Sequence, residues 1–149
     1  MQKEIVVNKK ARFNYEILET YEAGIVLVGS EIKSIRQKKI SITEAYAVFK
    51  RNELFLINAR IEPYEHANIY NHDPLRPRKL LLHRKELNKL QGKLAQKGWV
   101  LIPLKVILKN QKAKVILGLG RAKKKHDKRQ VIKERDIRRD MERELKNYR

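Results

Sequence analysis

Cysteine is missing from all 149 positions, which excludes disulfides, thiolate metal sites and a thiol nucleophile. That usage is what a reducing compartment permits, and a cytoplasmic location is the expectation. No apolar run approaches the roughly 18 residues that a membrane span needs. The opening residues Met1–Val7 are too few and too charged to read as a secretory signal. No Gly-rich phosphate loop, no G-x-S-x-G and no H-E-x-x-H occurs. Carboxylates are few beside the cations: 17 Asp and Glu stand against 36 Lys and Arg. The acids from Glu16 to Glu86 show none of the clustering that a metal-dependent nuclease needs.

What the chain does have is positive charge, unevenly placed. Residues 1–120 carry 23 Lys and Arg against 11 acids, and residues 121–149 carry 13 against 6. The net +19 is thus +12 over a body and +7 over a tail of 29 residues. Such an excess repels itself unless a polyanion is the normal partner. Nucleic acid leads, and an acidic membrane surface is second. The length predicts one domain with a real core.

Along the chain, the basic arm Asn8–Arg12 leads into a strand over Phe13–Tyr21, with a turn at Ala23-Gly24. Ile25–Val28 is a second strand or a continuation of the first. Ser30 is placed to cap a short helix through Arg36, with Ile32 and Ile35 on its buried side. Ala45–Lys50 and Glu53–Arg60 alternate around Arg51-Asn52 as a hairpin. Pro63–Pro77 has no sustained period and reads as a long loop. Leu80, Leu87, Leu90 and Leu94 recur on one face and predict a principal helix over Leu80–Lys97, stopped by Gly98. Trp99–Leu108 and Lys112–Gly118 make a last hairpin. The count suits a mainly β fold with helices: an OB-like antiparallel barrel of about six strands with two or three flanking helices. A mixed α+β sheet is the open alternative.

After Gly120 the composition changes. Ile137, Met141 and Leu145 stand four apart, supported by Glu134–Arg138 and Glu142–Lys146 pairs. A stripe one residue wide does not hold a helix on a core. A tail over 121–149 that is disordered when free and helical when bound is therefore expected.

The candidate functional residues are mostly cations. Arg76-Pro77-Arg78-Lys79 presents charge on a proline-stiffened corner, and Lys123–Arg129 opens the tail with clustered cations that gain most from counterion release. Glu31 has two open readings: a charge favourable at a helix N-terminus, or a carboxylate accepting from a guanine edge or an RNA hydroxyl. His83 and Glu86 form an imperfect capping box, which favours an external role for His83. Tyr21 or Tyr70 offers an exposed stacking face. His66 and His72 share a loop with Asp73, but without a third spaced ligand no metal site is assigned.

Several segments together resemble one family. They are Asn8-Lys9-Lys10-Ala11-Arg12-Phe13, Glu22–Leu27, Gly29-Ser30-Glu31-Ile32-Lys33-Ser34-Ile35-Arg36, Asp73–Leu82 and Gly118–Arg129. In that order they resemble SmpB, the family of SsrA-binding proteins that partner transfer-messenger RNA in bacterial trans-translation. The resemblance implies an OB-like body that binds the tRNA-like domain of that RNA near its elbow, with Glu31, Leu81 and His83 among the contacts. Further RNA-contact candidates, beside those the resemblance names, are Asn8, Lys9, Arg12, Lys33, Arg36, Arg76, Arg78, Lys79, Lys123, Lys124 and Lys125. The resemblance implies that the tail enters the decoding region and empty messenger channel of the ribosomal small subunit. There His126, Asp127, Lys128 and Arg129 would lie at the root and Met141 and Leu145 farther out. A monomer with no cofactor and no reaction of its own is expected. A generic ribosome-associated RNA-binding protein or RNA chaperone is the alternative.

Overall fold

The computed structural model describes residues 2–66 and 71–123. Among the described residues, nine strands and three helices follow in the order β1 (Gln2–Val7), α1 (Ala11–Asn14), β2 (Tyr15–Ile25), α2 (Gly29–Arg36), β3 (Ile40–Ser41), β4 (Tyr46–Lys50), β5 (Glu53–Ile57), β6 (Arg60–Ile61), β7 (Arg78–Leu81), α3 (Arg84–Leu94), β8 (Trp99–Lys109) and β9 (Lys112–Ala122). No helix among the described residues is long and apolar enough to cross a membrane.

Six strands follow one another around a ring, β8-β4-β5-β7-β2-β9, and the β8–β9 pairing closes it. Every pairing is antiparallel, and β1 lies along the far half of β8. The fold is therefore mainly β and OB-like, with helices at its flanks. Closure removes most unpaired edges. Alternation decides which side faces in: Leu54 and Leu56 on β5, Leu80 on β7, and Val115, Leu117 and Leu119 on β9 are all buried. They join Ile35, Ile42, Ile61, Leu90 and Leu101 in one core.

Two hairpins form where their turn chemistry asks for them. Arg51 and Asn52 have φ of 52° and 65°, and Asn110 and Gln111 have 52° and 67°, the left-handed pair that a tight two-residue connection requires. The helix α2 begins at Gly29 after Val28, so Ser30 is not its cap. The Ser30 hydroxyl instead bonds His72 Nδ1 at 2.8 Å. Ile35 is fully buried and Ile32 packs beside it, as their spacing predicts.

Four further sequence expectations change. Phe13 and Asn14 belong to the short helix α1, not to a strand, and Ala23-Gly24 continues β2 instead of turning. Leu80 does not start the principal helix: Arg78–Leu81 is a strand bonded between β5 and β2, and the helix begins at Arg84. The strand β9 runs past Gly118 and Gly120 to Ala122, because it is paired on both edges, with Trp99 opposite Arg121 and Tyr15 opposite Ala122.

Candidate nucleic-acid interface

The first assembly sits where the start of α2, the end of β2 and the entry to β7 converge. Glu31 lies in the first turn of α2, and both its carboxylate oxygens are used. One accepts from the Val28 N–H at 2.9 Å and from Arg76 Nη2 at 2.5 Å. The other accepts from Arg78 Nε at 2.5 Å. Neither the Glu31 nor the Arg78 side chain is exposed at all, whereas Arg76 is 35% exposed. Arg78 spends its other donors on the Ala59 carbonyl at 2.7 Å and on the Pro74 and Asp73 carbonyls at 3.2 and 3.3 Å. One guanidinium thus stitches β7 to the β5–β6 connection and to the following loop.

Burial is the largest single influence on Glu31 and opposes its ionisation. The bonds from Arg76, the Val28 N–H and Arg78 together outweigh it and hold the carboxyl below its ordinary pKa. Burial pulls the Arg78 guanidinium down from its usual value, with Glu31 working against it, and it remains a cation. The cluster therefore holds two cations on one anion, leaving net positive charge at the half-exposed Arg76. Around it Val26, Val28, Leu75 and Leu81 are 45–50% exposed, an apolar fringe beside a fixed guanidinium. Leu81 stands on the outward face of β7 opposite Gly24, and a Cβ at Gly24 would meet the Leu81 side chain at 3.4 Å. Lys79 shares that outward face and reaches Glu53 at 3.2 Å. His83 is the exposed N-cap of α3 and makes no side-chain cap bond.

A second assembly surrounds α1. Lys9 and Arg12 line a groove of about 580 Å³ with Glu4, Thr20 and Lys105. Phe13 beside them is 65% exposed. The Lys123 N–H bonds the Asn14 carbonyl at 2.9 Å, which brings this residue to the same corner. The first assembly lies at the Gly24-Ile25 end of β2, and the second reaches from its Tyr15 end along to Thr20. Lys33 and Arg36 are exposed on α2, where the Lys33 ammonium lies 5.4 Å from the Tyr64 ring centroid.

Other candidates turn inward. Asn8 is 7% exposed, and its amide donates to the Pro103 carbonyl at 3.0 Å and the Ile42 carbonyl at 3.4 Å. Tyr21 is 9% exposed and its hydroxyl donates to Glu19, so it is no open stacking face. The second ring nitrogen of His72 meets the Ile61 carbonyl at 2.8 Å. A carbonyl only accepts, so Nε2 donates there, while Nδ1 is bonded to the Ser30 hydroxyl. Tyr70, Lys124, Lys125, His126, Asp127, Lys128, Arg129, Met141 and Leu145 lie outside the described residues. One arrangement escaped the sequence reading: Lys93 and Arg121 both place their cationic groups 5.0 Å from the Trp99 ring centroid. Its only sequence signal was a lone Trp opening a hairpin strand.

The model of the SmpB protein family matches residues 5–147. The chain belongs to the SmpB family. It is 56% identical over 140 residues to the SsrA-binding protein of Thermosynechococcus vestitus, covering 93% of this chain and 92% of that one. It is 54% identical to the SsrA-binding protein of Bacillus subtilis, covering 94% and 90%. Among solved structures it is similar to a chain described under "tmRNA-SmpB: a journey to the center of the bacterial ribosome", with TM-score 0.68 and 52% identity over 80% of this chain and 85% of that one. That likeness agrees with the OB-like ring described above.

Proposed function

We propose that this SmpB-family protein binds the tRNA-like domain of transfer-messenger RNA and delivers it to stalled ribosomes for trans-translation. It acts in the cytoplasm, as a monomer, and carries no reaction of its own. The observation that carries the reading is the Glu31–Arg78 pair, wholly buried, which fixes Arg76 at the edge of an exposed apolar fringe. A guanidinium held in place before binding meets a phosphate without first losing rotamer freedom, and exposed Leu81, Leu75 and Val28 can cover a ribose or a splayed base. Glu31 and Arg78 act here as supports, and Arg76, Lys79, Leu81 and His83 are the contacts. Lys9, Arg12 and Lys123, with exposed Phe13, form the second RNA-facing corner. Residues 124–149 take the ribosome-side task, with His126, Asp127, Lys128 and Arg129 at its root and Met141 and Leu145 farther along.

The test compares the full chain with a chain ending at Lys123, which keeps all of β9. Each is titrated with the tRNA-like domain and with an unrelated hairpin across a salt series, so that counterion release appears in the slope. The reading expects both proteins to prefer the tRNA-like RNA by a similar ratio, while the shortened one fails to support peptide tagging. Equal binding of both RNAs would leave a general RNA chaperone instead.

A further inference from the structure

The end of β9, the last described part of the chain, is built from named contacts. The β9 strand is held on both edges to its last turn: Arg121 pairs opposite Trp99, and Ala122 opposite Tyr15. The Lys123 N–H then bonds the Asn14 carbonyl at 2.9 Å. Strand ends fray when only backbone bonds hold them, and this end also carries an exposed Arg121 within a strongly basic body. Trp99 supplies what the backbone lacks. Its half-buried ring receives the Arg121 guanidinium and, from the last turn of α3, the Lys93 ammonium, each 5.0 Å from the ring centroid. A ring quadrupole attracts cations at such distances, indole most strongly. It also lets two like charges share one place, which no neutral aliphatic side chain does.

We infer that Trp99 is a positioning residue: by holding Arg121 against the end of β8, and Lys93 with it, it fixes the direction in which the tail leaves the body. The role is positional: Trp99 stands opposite Arg121 beside the corner that carries Lys123, at the other end of β2 from the Arg76 assembly. The inference rests on the proposed division between an RNA-reading body and a ribosome-side tail. Misdirecting the tail would then leave the Arg76 assembly's hold on the RNA intact and impair the step on the ribosome.

The experiment uses the full chain with Trp99→Leu, which keeps apolar bulk without a π face, and Trp99→Tyr, which restores one. Three quantities are measured: affinity for the tRNA-like domain, peptide tagging on stalled ribosomes, and backbone order of Arg121, Ala122 and Lys123 by nitrogen relaxation. Trp99→Leu is expected to lower affinity by no more than Lys123→Ala does, because the Arg76 assembly is untouched, and to lower tagging on the order of tenfold or more, the scale on which small misplacements act. The order parameters of the three residues should fall from about 0.85 toward 0.6. Trp99→Tyr should recover both. Should Trp99→Leu fold poorly, Arg121→Met in the full chain removes the cation and leaves the ring. It is expected to loosen Ala122 and Lys123 in the same way.

Unchanged order at residues 121–123 in either variant, or wild-type tagging by Trp99→Leu, overturns the inference. Equal tagging defects in Trp99→Leu and Trp99→Tyr also overturn it, because then the π face is not what matters. The broader reading fails separately, when the wild-type chain itself does not prefer the tRNA-like RNA.

Discussion

Glu31 and Arg78 meet 2.5 Å apart in the interior, 47 positions apart in sequence, with no exposure of either side chain. Replacing such a pair by fitted apolar residues is often harmless, but removing one partner strands a charge in a poorly solvating place. Glu31→Gln is therefore expected to cost about 3–5 kcal/mol of stability. Arg76→Met removes only a half-exposed partner and should cost no more than about 1 kcal/mol, while weakening RNA binding by about 1.5–3 kcal/mol through a lost charged hydrogen bond. Urea denaturation and RNA titration of the two variants check this. Equal destabilisation by both would mean that Arg76, not Arg78, is the structural partner.

The same pair gives the protein an acid limit. The folded pKa of Glu31 lies below its unfolded value because the Arg76, Val28 and Arg78 bonds outweigh burial. Between the two values the unfolded chain binds more protons, so stability rises with pH there. The contribution is complete above the unfolded carboxylate value of about 4.3 and is lost as pH falls through the folded one. Glu31→Gln lacks this titration. The stability gap between wild type and Glu31→Gln should hold from neutrality to about pH 5 and shrink below about pH 4. Denaturation at several pH values measures it, and a gap that persists unchanged in acid would contradict the assignment.

Which parts were legible in the sequence follows from how far apart the partners lie. The β4–β5 and β8–β9 hairpins were readable because alternation and turn residues are local, and so was the buried face of α2 at Ile35. The strand β1 was not, because its register is set by β8 about a hundred residues away. The strand β7 was misread as helix because Leu80 falls at helical spacing from Leu87, yet edge pairing to Leu54 and Ile25 claims it. Gly24 mimicked a turn but continues β2, paired opposite Leu81. For Glu31 the sequence left two readings open. The helix N-terminus reading holds, since the carboxylate accepts from the Val28 N–H in the first turn of α2, but no local pattern announces the two arginines between which it is buried.

Asn8 illustrates the same point at a site that the sequence offers as an RNA contact. Its amide closes the corner between β1 and α1 by bonding the Pro103 and Ile42 carbonyls. Asn8→Ala leaves those carbonyls without that donor inside the protein, at an expected cost of about 1–3 kcal/mol. RNA affinity of the folded fraction should not change. Calorimetric melting alongside RNA titration decides it, and an affinity loss without a melting shift would return Asn8 to the interface.

Leu80 and Leu81 are neighbours on β7 that face opposite ways, and one substitution applied to each should have separate outcomes. Leu80 is 1% exposed and stands opposite Leu54 and Ile25 in the ring. Leu80→Ala opens a cavity in a packed core and should cost about 2–5 kcal/mol. Leu81 is 50% exposed, so Leu81→Ala should alter stability by no more than about 0.5 kcal/mol. Its effect belongs to binding: affinity for the tRNA-like domain should fall while the salt dependence stays as it was, because no cation has been removed. A reduced salt slope in Leu81→Ala would mean that the substitution displaces neighbouring Lys79 or Arg76. Unchanged affinity would take the apolar fringe out of the interface and leave Arg76 and its cationic neighbours to carry recognition.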